Sequence, residues 1–251
     1  MASKSEPSES RVQGNTDTGL LKLLALLFMI IDHTGKMLFP MVLEMRIIGR
    51  IAFPLYAWSL VVGSEYTRNI WRYALRIAVV GLIAQPFYML GLNHTWTEPN
   101  IFLTLLLALL GIIAIKEHKA FSHIWGPMLA VILGAVLRPD YGWQGVFFVL
   151  MLYGARKSRS GLFVAFLSFA FYWGGSSSPI TEFFGLQNPL FQIPYVGNIA
   201  VPFFRMQALS LMALPLILFS TNTKLKLPKW LGYSAYPLHL AILAIIVYMK
   251  R

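Results

Sequence analysis

From Leu20 onward the chain is a succession of apolar runs of membrane-spanning or near-spanning length, separated by short polar connections. That pattern constrains the fold more than any single motif, because about 20 consecutive apolar residues are what a helix needs to cross the hydrocarbon core. Composition agrees. Of the 251 residues, 57% are hydrophobic and only 12% charged, against about a quarter charged in a soluble domain, and the mean hydropathy is +0.63. The predicted fold class is therefore all-α: a polytopic integral membrane helical bundle of about nine transmembrane helices, with eight to ten possible at this length and some short or broken.

The expected spans are Leu20 to Phe39, Arg46 to Gly63, Trp71 to Leu92, Ile101 to Ile115, Phe121 to Leu137, a short Trp143 to Tyr153, Gly161 to Trp173, Met206 to Phe219 and Leu231 to Tyr248. Residues 1–19, polar and rich in Ser and Glu, read as a disordered cytoplasmic tail, and residues 20–251 as a single transmembrane domain. No cleavage site follows the first apolar run, so no signal peptide is expected. Between the seventh and eighth spans, residues 174–202 carry the turn signals Ser178-Pro179, Asn188-Pro189 and Ile193-Pro194. The net charge of +11 does not point to nucleic acid, because the basic residues are scattered over short connections rather than gathered on one face. They fall mainly after spans two, four, six and eight, which places those connections and the N-terminus in the cytoplasm of a plasma membrane. Lys250 and Arg251 fit that orientation less well. With no cysteine in the chain, disulfides, thiolate metal sites and cysteine nucleophiles are excluded.

Several residues are out of place in hydrocarbon, where ionisable groups are costly and mark function. Lys22 and His33 lie eleven positions apart on the first span. Eleven residues turn the helix about 20° beyond three full turns and advance about 16 Å, so both share one face. His33 is the candidate general base and the neighbouring Asp32 the group that orients it, with Lys36 four residues on as a further partner for Asp32. On the second span, Arg46 and Arg50 share a face, a pair suited to phosphate or carboxylate, and Pro54 should kink the helix. His239 and Tyr236 lie on one side of the last span, in a direct or a packing role. Gln85 beside Pro86, Asn100 at the start of the fourth span and Tyr141 at the start of the sixth are weaker supporting candidates. No phosphate-binding loop, HExxH or GxSxG element is present, which leaves ATP-driven transport, zincin proteolysis and hydrolase chemistry without support.

In order, Asp32-His33-Thr34, Gly49-Arg50-Ile-Ala-Phe-Pro54, Ile83-Ala-Gln85, Asn100-Ile-Phe, Tyr141-Gly142 and a closing Tyr-x-x-His resemble the TraX family over nearly the whole chain. TraX proteins are polytopic membrane proteins associated with conjugative pili. The member on F-like plasmids acetylates the pilin N-terminus, and the family is grouped with transmembrane acyltransferases that use acetyl-coenzyme A. The resemblance implies His33 as catalytic base and Lys22, in place of the more frequent Arg, near the acyl donor. For Arg50 it implies a coenzyme-phosphate or acceptor role. The function it implies is acetyl transfer from acetyl-CoA to an amine or hydroxyl of a pilin, peptide or envelope glycan, needing no metal. A proton- or anion-coupled transporter and a non-catalytic pilus or envelope assembly factor are the alternatives.

Overall fold

The computed structural model of the protein describes residues 12–193 and 195–250. Eleven α-helices account for most of them: α1 Thr18–Leu38, α2 Leu43–Gly49, α3 Ala52–Tyr66, α4 Ile70–Leu92, α5 Ile101–Glu117, α6 Ser122–Leu137, α7 Gly142–Ala155, α8 Arg159–Gly174, α9 Val196–Ala200, α10 Leu214–Leu218 and α11 Lys229–Met249. Five helical segments among the described residues are long and apolar enough to cross a membrane: Thr18–Leu38, Leu43–Tyr66, Ile70–Leu92, Lys119–Leu137 and Trp230–Met249. The chain is thus a nearly all-helical integral membrane protein, with a small hairpin of two two-residue strands in the segment after α8.

The second span is disrupted by Pro54, as expected. It breaks one turn earlier, at Arg50 and Ile51, where the amides fall back on Ile47 and Ile48 in tight three-residue turns. Proline has no N–H with which to bond the carbonyl four residues back, here that of Arg50. Pro54 itself sits in the first turn of α3, where an amide has no helical partner to lose. The eighth span is also broken, into a 3-10 turn over Ala208–Ala213 and the short α10.

Helix α3 is the centre of the bundle. Leu55, Ala57, Trp58 and Val61 are fully enclosed, and α1, α5, α7 and the 208–213 turn pack around them. On its far side, α1 meets α11, which in turn packs on α4. The peripheral helices present apolar side chains outward, among them Leu82 and Leu90 on α4, Met128 and Val136 on α6, and Ile245 on α11. Such faces belong against lipid. Without a hydrophobic drive between helices in lipid, close approach comes from small residues: a Cβ on Gly126 of α6 would collide with Ala114 of α5.

Two connections hold the ends of the bundle. After α8, strands β1 (Glu182–Phe183) and β2 (Leu186–Gln187) pair antiparallel, Glu182 opposite Gln187, and the Phe184 amide at the hairpin tip donates to Glu44 of α2. Arg205 closes the base of this segment by donating to the carbonyls of Gly175 and Ser177 at 2.9 and 2.6 Å. At the other end, the polar stretch expected to be tail is packed from Val12 onward. Val12 and Asn15 are buried, the Trp58 indole donates to the Asn15 carbonyl at 2.7 Å, and the Asn15 amide donates to Leu216 and Thr221. The stretch is polar because it meets backbone carbonyls and hydroxyls rather than solvent. Residues 1–11 of the expected tail lie outside the described residues.

Candidate active site

A cavity of about 450 Å³ runs along α1. Its wall includes both Lys22 and Lys36, which fourteen residues of helix separate by about 21 Å. The long apolar middle, with Leu26, Met29, Ile101 and Phe102, joins two polar ends.

His33 lies in the wall of this passage. Its Nδ1 stands 2.7 Å from Nε2 of His239, and the two rings stack nearly parallel with centroids 5.0 Å apart. The other nitrogen of His239, Nδ1, lies 2.9 Å from the Ala235 carbonyl one turn earlier in α11. A carbonyl only accepts, so His239 carries its proton on Nδ1 and, while neutral, offers a lone pair at Nε2. His33 must then donate from Nδ1. Its Nε2 is left with a free lone pair, the form a general base requires. The group that orients His33 is therefore His239, which sequence reasoning placed only as a supporting residue, and not Asp32.

Asp32 has a different task. Adjacent residues on a helix point about 100° apart, and its carboxylate turns to α2, taking Arg50 at 2.6 Å on one oxygen and Arg46 at 3.1 Å on the other. Gly49 makes this possible, since a Cβ there would overlap the Asp32 carboxylate. Arg50 also donates to the Arg46 carbonyl at 3.2 Å and to Gln207 at 3.4 Å. The expected Asp32–Lys36 pair is absent among the described residues; the Lys36 ammonium stands 3.4 Å from Nε2 of His94. Tyr141 closes this end of the cavity, stacked on Phe53 with centroids 4.1 Å apart and edge-on to Trp173.

Lys22 marks the other end, beside Tyr73 and Tyr233. No carboxylate pairs with it among the described residues.

The family model described as "TraX protein" matches residues 17–247. The chain belongs to the TraX family. It is also 28% identical over 161 residues to the "Probable fimbrial assembly protein FimC, serogroup H1" of Dichelobacter nodosus. That match covers 59% of this chain and 66% of the relative, just under two thirds of its length. No solved structure matches. This TraX chain brings His33, Asp32, Lys22, Arg46, Arg50, Tyr141 and Tyr236 to one cavity wall, and His239 lies behind it. Gln85 and Asn100 do not line the cavity. The Gln85 side-chain oxygen accepts from the Asn100 amide and side chain at 2.9 Å, and Asn100 donates to the Gly81 carbonyl and caps α5. Their role in the TraX bundle is to lock the α4–α5 corner. Sequence reasoning missed Gln207, Ser59, Tyr56 and Tyr88 in the cavity wall. Neither charge nor spacing distinguishes them from other residues in apolar runs, although a polar Gln207 opening the eighth apolar run was a signal available to find.

Proposed function

We propose that the protein is an integral-membrane acetyltransferase of the cell's plasma membrane, with its N-terminus cytoplasmic and about nine membrane-crossing segments. The observation that carries this reading is the His33–His239 pair, which leaves Nε2 of His33 as a bare acceptor on the wall of a passage with polar groups at both ends. Acetyl-CoA supplies the activated acetyl group. The residues fit such a donor: Lys22, at the cytoplasmic end, has no carboxylate partner among the described residues, the apolar middle suits a narrow chain, and the buried Ser59 Oγ and Tyr236 Oη have no partner among the described residues along the way. Arg46, Arg50 and Lys36 then receive the acceptor at the far end, which the proposed orientation puts in the outer half of the bundle. His33 takes the proton from the acceptor amine or hydroxyl as it attacks and returns one to the departing thiolate, so no metal is required. A peptide amine, as in pilin, or a glycan hydroxyl suits this site.

The test is mass spectrometry of envelope peptides and glycans from cells with and without the protein, followed by the same comparison with His33→Ala. An acetyl group that appears with the wild type and is lost with the variant is the expected result; acetylation that persists in the variant overturns the reading. The name of the FimC relative favours a second reading, a non-catalytic assembly factor, under which His33→Ala would leave pilus assembly intact and no acetyl difference would be found.

A further inference from the structure

Acetyl transfer needs more than a base. As the acceptor attacks, the carbonyl π electrons move onto oxygen, and a preorganised donor aimed at that oxygen is the largest single contribution in most acyl transfers. Resting on the acetyl-transfer reading, we propose that Tyr236 is a catalytic residue, the donor to this developing oxyanion.

Three observations meet at Tyr236. Its side chain is buried, at 4% exposure, and lies in the cavity wall. Its hydroxyl makes no hydrogen bond to any described group, although buried phenols almost always find a partner. Its ring stands edge-on to both imidazoles, 6.1 Å from His33 and 5.4 Å from His239 between centroids, with Phe102 against it at 5.0 Å. The phenol is thus fixed beside the proposed base by aromatic packing alone, with its O–H left over. Two other donors at this end are committed elsewhere: Arg50 to Asp32, the Arg46 carbonyl and Gln207, and His239 to His33 and Ala235.

The step balances without further reagents. The acceptor lone pair forms a bond to the acetyl carbon while His33 Nε2 takes its proton. Tyr236 donates a hydrogen bond to the oxygen as it gains charge. The C=O re-forms, the carbon–sulfur bond breaks with its electrons going to sulfur, and the proton on His33 passes to the thiolate.

Tyr236→Phe tests this in the full-length protein in proteoliposomes, with acetyl-CoA as donor, glycinamide as an amine probe and acetylglycinamide read by mass spectrometry. The expected result is a fall in kcat of about 10²–10³-fold, KM for acetyl-CoA unchanged, and a thermal midpoint equal to or above that of the wild type, because the variant removes a buried hydroxyl without a partner. An unchanged kcat overturns the assignment, and so does a lowered midpoint, which would mean that the hydroxyl bonds something structural. If the wild type itself acetylates neither glycinamide nor any envelope component, the acetyl-transfer reading fails as a whole. An active wild type with an equally active Tyr236→Phe removes only the role of Tyr236.

Discussion

Each end of α3 is tied by the same device, one carboxylate between two cations, and the two ends behave differently. At the start, Asp32 of α1 holds Arg46 and Arg50. At the finish, Glu65 holds Lys116 at 3.1 Å and Arg156 at 3.3 Å. The Glu65 cluster is closed on itself: Lys116 donates to the Ser64 carbonyl and Arg156 to that of Tyr153, and the Arg156 guanidinium lies 3.7 Å over the Tyr153 ring. The Asp32 cluster opens onto the cavity, with the Arg46 guanidinium bonded, among the described residues, only to Asp32 and about a quarter of its side chain exposed. Charge pattern alone therefore does not mark a site in this protein. What marks it is whether the remaining donors face backbone or space.

The sharpest way to break this contrast is to set a change in the chemistry against a change at the closed knot. On the proposed acetyl-transfer reading, His33→Ala should lower acetyl transfer by about 10²–10⁴-fold, the usual contribution of a general base, whereas Glu65→Gln should leave the rate per folded molecule unchanged. Equal losses in both variants, measured with the same acetyl-CoA assay, would show that the opening onto the cavity does not matter.

Next in size is the Asp32 knot itself. Asp32→Asn removes the carboxylate that Arg46 and the nearly buried Arg50 both bond, and breaking a buried pair costs about 3–5 kcal/mol. Gly49→Ala should approach the same loss, because its Cβ occupies the place of the Asp32 carboxylate. Chemical denaturation of the two variants and of the double variant checks this: the double should be little worse than either single, since both break one contact.

That coupling also explains what could and could not be read from sequence. The spacing of Lys22 and His33 and the residue types at 32, 46 and 50 were legible, because a cation or imidazole inside an apolar run is conspicuous. The pairing was not. Asp32 and His33 are neighbours in the chain, yet the helical turn sends one to α2 and the other to His239, 206 residues away, and nothing local to α1 encodes that. Proline was visible, but its effect falls on Arg50, one turn upstream. Residues 12–17 read as part of a disordered tail for the same reason: a polar side chain that bonds a carbonyl of α10 looks, in sequence, like one that bonds water.

At the closed knot the cost should be smaller. Glu65→Gln leaves Lys116 and Arg156 their carbonyl partners and the Tyr153 face, so the loss should be about 1.5–3 kcal/mol, that of hydrogen bonds to a charged group. A denaturation midpoint as low as that of Asp32→Asn would mean that Glu65 carries an equal share.

The smallest effect belongs to a third carboxylate, one with neutral partners, which sets the baseline for the other two. Asp17 caps α1 through the Leu20 amide and accepts from the Thr223 amide and from the hydroxyls of Thr223 and Thr221. Slight burial works to raise its carboxyl, but the bonds from Thr223, Leu20 and Thr221 outweigh it and hold the group below its ordinary value. A lowered carboxyl contributes its full stability above the unfolded-state value of about 4 and loses it as the pH falls through the lower native value. Asp17→Ala should therefore cost about 1 kcal/mol at neutral pH, the usual worth of an N-cap. The gap from wild type should narrow on acidification below about pH 4, where the wild-type carboxyl also loses its charge. Denaturation of both proteins across that range reads the difference directly, and a gap that stays constant with pH would assign the role of Asp17 to shape rather than charge.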